Sequence, residues 1–299
     1  MVPFTTNGLA FQNVDGAFGA ELNWIEQEDG TLLHKSVSDN TKELYKYLNR
    51  LYQEGLLDPE FSATNNPMKQ EKFASGQAVF MGMYWPDFVC LETLTSSIEG
   101  ATWDVVPPLK DANGRCGFNV VLGASPAGVF VVPKTSTHPE DAIKFVNQLS
   151  DYEVNKLFRY GEEGVHWEEK ENGERLSLPA YKTERNIVGW YTPATRQDLV
   201  EEMGMTAISG ETKGVAESCM ALNKPEFKES IHLDPMLLPI SDEWAKAQGE
   251  LNSASTQWGI GFIMGEISFD QWDEYVAEMN GIAGDAFAAQ NQIYADSQK

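Results

Sequence analysis

Cysteine is scarce: three in 299 residues, at Cys90, Cys116 and Cys219. The odd number and wide spacing exclude a full disulfide framework and any CxxC redox or zinc-knuckle pattern, so the thiols read as inert and buried. The four histidines, His34, His138, His166 and His232, share no HxxxH or HExxH spacing that would hold zinc. Positive charge is short as well. Lys and Arg total 22 against 45 Asp and Glu, a formal net charge of −23, which argues against nucleic acid or an anionic membrane surface as partner. The acids are spread along the chain without a single-sign run, and their first reading is solubility. No stretch approaches the roughly 18 consecutive apolar residues of a membrane span. The opening MVPFTTNGLAFQN lacks the basic start and apolar core of a secretion signal. Internal repeats and low-complexity tracts are absent.

What is present is the composition of a globular chain, 42% hydrophobic and 11% aromatic, long enough for one or two domains. In NTKELYKYLNRLYQEGLLDP, Asn40 is the expected N-cap with Glu43 three residues on. Leu44, Tyr47, Leu48, Leu51 and Tyr52 make one apolar face, Gly55 the left-handed stop, and Pro59 bars continuation. NPMKQEKFASG predicts a second helix, with Pro67 in its first turn and Gly76 as its stop. The unbroken run in AVFMGMYW fits a strand covered on both faces, as in a parallel sheet, and GVFVVPK (Gly128 to Lys134) repeats it. A helix follows, with Thr137 and Glu140 as a capping box and Ile143, Val146 and Leu149 as its apolar stripe. Strand, helix, strand, helix is an α/β pattern. Between these units, TWDVVPPLKDANGRCGFNVVLGASPAG reads as a crossing between two lobes. YGEEGVHWEEKENGERL predicts a hairpin at Asn172–Gly173. The C-terminal third is mostly helical: Ser241 opens one helix, and Ser268 with Gln271 form a capping box for the last.

Catalytic patterns are poor. GASPAG (Gly123 to Gly128) has one residue too many for a GxSxG elbow. GIGFIMG (Gly259 to Gly265) sits at the end of a helical pattern with no strand before it, so it is a helix terminus and not a dinucleotide loop. KDANGR lacks the closing Glu of a calcium loop and reads as a tight turn. The pairs Glu162–Glu163 and Glu168–Glu169 read as a solvated face. Among the aromatics, Trp244, Trp258, Trp272 and Tyr275 fall on helical stripes and are assigned to core. Trp85, followed by Pro86 and Asp87, and the pair Trp190–Tyr191 in VGWYTPAT instead follow a strand or loop. Ligands in open α/β sheets bind outside the carboxyl ends of the strands, where an aromatic face and a carboxylate together suit a sugar. On chemistry alone Trp85 reads equally as a ligand platform or a core cap.

The segments LNRLYQEGLLDPEF, FASGQAVFMGMYWPDF, VVPPLKDANGRCG, GVFVVPKTSTHPEDAIKFVNQLSD and YGEEGVHW, followed by FIMGEISFDQWDEYVAEMNGIAGDAFAAQNQIYAD, occur in the order seen in extracellular solute-binding protein family 1. These are the substrate-capturing subunits of ABC importers, and the chain resembles them from about Phe18 onward, and maltose-binding protein more distantly. The resemblance implies a type II periplasmic-binding-protein-like α/β fold, two lobes joined by a hinge, with the first lobe incomplete in this chain. Residues 1–108 would begin the second lobe, 109–165 would hold the hinge crossing and a remnant of the first, and 166–299 the helical part packing on the second. It further implies a non-enzymatic protein, without cofactor or metal, that binds an oligosaccharide in an aromatic-lined cleft between lobes. Closure of the lobes would deliver the sugar to the permease subunits. The parent would be a monomeric, extracellular, lipid-anchored protein, of which this chain is a truncated piece. Trp85 becomes the expected sugar-stacking residue, with Tyr84 and Asp87 beside it. Phe4, Thr6 and Asn7 would reach the cleft floor, while Trp190 and Tyr191 rest on chemistry and loop position. The alternatives are a glycan-acting hydrolase and a surface carbohydrate-binding protein outside transport.

Overall fold

A computed structural model describes residues 2–6, 8–9, 14–83, 89–104, 106, 109–119, 131–171, 173, 175–184, 231–232, 234–235 and 240–299. The chain divides into two compact units: Met1–Ala124 with Leu222–Lys299, and Ser125–Ala221 between them.

The first unit begins with strand β1 (Val2–Thr5), helix α1 (Val14–Phe18) and the antiparallel pair β2 (Trp24–Glu26) and β3 (Leu32–His34). Helices α2 (Asp39–Gln53) and α3 (Asn66–Ala74), strand β4 (Ala78–Met81), helix α4 (Val89–Ser97) and strand β5 (Phe118–Asn119) follow. The first cap differs from expectation. Ser38 caps α2, its hydroxyl accepting from the Thr41 N–H at 3.3 Å, while Asn40 is already helical and donates its side-chain amide to the Gly19 carbonyl. The other end of α2 is as expected: Gly55 takes φ +69°, and the Leu56 N–H returns to the Leu51 carbonyl. In α3, Pro67 lies in the first turn and Gly76 follows the end at φ +72°.

β1 and β4 pair in parallel, with Phe4 opposite Phe80 and Thr5 opposite Met81. On its other edge β1 meets the segment after α2: the Phe4 N–H donates to Leu56 O and the Asp58 N–H to Phe4 O. The expectation that the AVFMGMYW strand is covered on both faces fails at Val79, which is 62% exposed, because the described residues put no layer over that side.

After the second unit the chain returns through β8 (Ile231–His232), which pairs in parallel with β5, to two long helices. These are α8 (Asp242–Met264) and α9 (Trp272–Ser297). Ser241 caps α8 as expected. Gly265 ends it in the left-handed conformation, so GIGFIMG is the helix terminus. Gly259 inside it is required by close packing, since a Cβ there would stand 2.8 Å from Tyr45 Oη. Ser268 caps a short 3-10 turn by accepting from the Asp270 N–H, and the Gln271 side chain turns to Glu274, so the expected capping box does not form. The core lies where α2, α8 and α9 meet β1, around Phe4, Leu48, Phe61, Phe262, Tyr275 and Met279. Each such large apolar side chain contributes about 1.5–3 kcal/mol on burial. Two α2 amides fasten the end of α8: Asn49 donates to the Phe262 and Ile263 carbonyls and Gln53 to that of Met264. They satisfy carbonyls that a helix end leaves without partners.

The second unit contains α5 (Pro139–Leu149), α6 (Tyr152–Tyr160), the antiparallel hairpin β6 (Trp167–Glu169) and β7 (Arg175–Ser177), and α7 (Pro179–Glu184). The hairpin turns through Gly173 at φ +80°, while Asn172 lies outside the described residues. Trp167 is its buried centre, packed against Tyr160 and half-buried Tyr152 and donating its indole N–H to Gly161 O. His138, not Thr137, is the N-cap of α5 and makes no side-chain cap bond, so the expected box is absent. Of the α5 stripe only Leu149 is buried; Ile143 is 51% exposed, as is its neighbour Phe145 at 57%. The described end of GVFVVPK, residues 131–133, is not a strand, and Val131 is exposed.

Candidate functional site

The carboxyl ends of the paired strands β1 and β4 are the natural place for a ligand in this architecture. Phe4 sits in the core with its ring against Phe80, centroids 5.1 Å apart. Thr6, one residue past β1, is 1% exposed. Beside it the Thr5 hydroxyl donates to Asp58 Oδ2 at 2.9 Å, and the Lys72 ammonium reaches the same oxygen at 2.7 Å and Glu60 at 2.9 Å. Burial alone would raise the Asp58 carboxyl; bonds from Lys72, the Glu60 N–H and Thr5 outweigh it and hold it below the ordinary range. Burial pulls Lys72 down, and its bonds to the two carboxylates overcome that and raise it. Both groups are therefore charged at neutral pH. They brace the end of β1 against α3.

Lys69, also on α3 and buried, performs the corresponding task for β4: its ammonium donates to the Gly82 carbonyl at 2.8 Å, directly after the strand. The two lysines, three residues apart and so on one side of α3, tie the ends of both strands to the same helix. This polar brace was not assigned from sequence, although Asp58 lies within LLDPEF. Nothing local distinguishes a structural Asp before proline from a solvated one.

Tyr84, Trp85 and Asp87 lie outside the described residues, as do Asn7, Trp190 and Tyr191. The structure thus places Phe4 and Thr6 at the strand ends and leaves the remaining expected ligand residues without a described position. KDANGR is a tight turn, with the Asp111 carboxylate accepting from the N–H groups of Asn113 and Arg115, both at 2.8 Å. Glu162 and Glu163 face solvent, and Glu169 pairs with Arg175 across the hairpin. Among the described residues no group of three or more His, Cys, Asp or Glu side chains could hold a metal ion, and no helix is long and apolar enough to cross a membrane.

No family model matches the chain. Its fold is that of solved periplasmic-binding-protein-like structures. The alginate-binding protein AlgQ2, solved without calcium ion, matches with a TM-score of 0.70 at 14% identity, over 98% of this chain and 64% of that one. The ABC-transporter substrate-binding protein FusA of Streptococcus pneumoniae, in complex with kestose, gives 0.66 at 18% identity, over 99% and 63%. The N-glycan transport solute-binding protein NgtS of the same organism gives 0.61 at 15% identity, over 99% and 63%. By sequence, the chain is 25% identical over 272 residues to an uncharacterised protein in the butB 5' region of Niallia circulans, covering 86% of this chain and all of that one. It is also 25% identical over 169 residues to the polygalacturonan/rhamnogalacturonan-binding protein YtcQ of Bacillus subtilis, covering 54% of this chain and 33% of that protein. The chain therefore spans just under two thirds of the solved structures that it matches.

Proposed function

We propose that this chain, which has the fold of extracellular solute-binding proteins, captures an oligosaccharide for an ABC importer and hands it to the permease without chemical change. The observation that carries this reading is the match of nearly the whole chain to just under two thirds of AlgQ2 and FusA, supported by the sequence likeness to YtcQ. The sugar would sit at the carboxyl ends of β1 and β4, with Trp85 as stacking face, Tyr84 and Asp87 beside it, and Trp190, Tyr191, Thr6 and Asn7 as further contacts. Phe4 would act from behind, by holding β1. The brace of Lys69 and Lys72 supports this placement, since it fixes the described ends of β1 and β4. The parent protein would be an extracellular lipid-anchored monomer. The uncovered apolar side chains of α5 support a truncated chain, whose first lobe the remaining third of the relatives' length would complete.

Isothermal titration calorimetry with kestose, alginate oligomers and oligogalacturonides tests the reading. At least one should bind, and Trp85→Ala should lose about 2 kcal/mol, roughly 30-fold in affinity. Unchanged affinity in a folded variant would remove Trp85 from the site. Release of shorter sugars would replace a binding protein with a hydrolase.

A further inference from the structure

A second concavity, about 260 Å³ in volume, lies within the first unit and shares no residue with the strand ends or the Asp58 brace. Its walls come from four places in the chain. Trp24 and His34 belong to the β2–β3 pair, Asp234 to the segment after β8, Trp244 to the first turn of α8, and Gln290 to the last turns of α9. The aromatic side is closely packed. Trp24 and Trp244 pack with ring centroids 5.3 Å apart, and His34 stacks on Phe287 at 5.3 Å with a 20° interplanar angle. Trp244 reads as core from the helical stripe, and the structure packs it, half-buried, against the core while it also lines this pocket.

The uncommitted donors make the pocket more than a packing fault. Trp24 is 4% exposed, yet its indole N–H has no hydrogen-bond partner among the described residues. Gln290 is 1% exposed; its Oε1 accepts from the Ser241 N–H at 2.7 Å, and its amide nitrogen has no partner among the described residues. His34 Nδ1 accepts from the Ser36 N–H at 3.3 Å, which leaves the proton of a neutral ring on Nε2. Burial first, and Lys35 second, hold the ring neutral by lowering its pKa to about 3. None of these donors is among the buried polar atoms left without a partner, so each meets water, which a ligand oxygen would replace. Among the described residues lining the pocket, the one charged group is the Asp234 carboxylate, which already accepts from the Asn23 N–H at 3.0 Å.

We infer that this pocket is a second binding site, for a single sugar ring or a comparable small neutral polyol. Ring and hydroxyl oxygens would accept from Trp24, His34 and Gln290, a hydroxyl would donate to Asp234, and one C–H face would lie on Trp244. An anion is disfavoured by Asp234, and a quaternary ammonium offers no acceptor for the three donors. The volume sits just below the roughly 300–1,000 Å³ of ordinary ligand pockets, which limits the occupant to about one ring. The inference does not depend on the proposal for the strand ends.

Galactose, rhamnose, mannose and glucose are the probes, titrated into the full chain by calorimetry and by saturation-transfer NMR. At least one should bind. Trp24→Phe, which keeps an aromatic ring but removes the indole N–H together with the pyrrole half of the side chain, should weaken it about tenfold, the equivalent of 1.4 kcal/mol. Asn252→Trp, filling the pocket from an exposed wall position, should abolish binding while leaving the fold intact. Asn252→Trp should leave oligosaccharide binding untouched, which separates this site from the strand ends. Flat titrations with all four sugars, or equal affinity in the Trp24→Phe variant, would overturn the inference and leave the pocket to water.

Discussion

His34 and Asp15 show how one buried corner couples stability to pH in opposite directions. Burial lowers the His34 pKa to about 3 from the ordinary 6.5, so between those values the unfolded chain takes up a proton that the folded chain refuses. The contribution of His34 is fully present above 6.5 and is lost as pH falls towards 3, at about 1.4 kcal/mol per unit. Burial raises Asp15 from 3.8 to about 6, against the lowering effects of the Gly16 N–H and Lys35. Here the folded chain keeps a proton that the unfolded chain releases. Its contribution is present below 3.8 and lost as pH rises through about 6. The slopes oppose each other over the shared window. The Asp15→Asn variant should therefore lose stability faster than the parent on acidification from about pH 6 to about pH 4, by about 1.4 kcal/mol per unit in urea unfolding. Parallel pH profiles would show that Asp15 ionises normally.

Helices divide into those whose faces are used and those whose faces are bare. In α2 the apolar stripe meets α8 and α9, and Leu48 is fully buried. In α5 the same kind of stripe ends at Leu149, with Ile143 and Phe145 open to solvent. Ile143→Gln and Phe145→Gln should leave the unfolding free energy of the chain within about 0.5 kcal/mol, while Leu149→Ala should cost about 2–5 kcal/mol. A large loss at Ile143 would show that its face is covered in solution. This contrast also marks what the sequence could express. The stops at Gly55, Gly76 and Gly265, Pro59 after the first of them and Pro67 in the first turn of α3 were legible because they are local backbone chemistry. The cap of α2 slipped from Asn40 to Ser38 because two good capping residues stand two apart. The direction of the incoming 3-10 turn at Lys35–Val37 decides between them. Cover over Val79 or Ile143 is a tertiary fact with no local signal.

At the scale of the whole molecule, the excess of acids is a field and not a site. With a net charge of −23 the folded chain repels itself, and salt weakens that repulsion over a Debye length of about 10 Å at 0.1 M. The unfolding temperature should rise between about 10 mM and about 0.5 M sodium chloride, followed by circular dichroism. A fall would mean that pairs such as Lys72–Asp58 outweigh the field. The α/β class and the parallel pairing of the AVFMGMYW strand could be read from the sequence, because strand and helix segments alternate there. The pocket beside Trp24 could not, since it needs residues 23 and 290 side by side.

The division of the chain also sets an order in time. The second unit, Ser125–Ala221, interrupts the first, and the first completes its core only with Leu251, Phe262, Tyr275 and Met279. During synthesis the inserted unit is whole while the enclosing one still lacks α8 and α9. Phe61, Leu48 and Phe4 must wait some 190 to 250 residues for their partners, about 10–50 s at typical rates of elongation. For that interval the apolar face of α2 is the surface most in need of a chaperone.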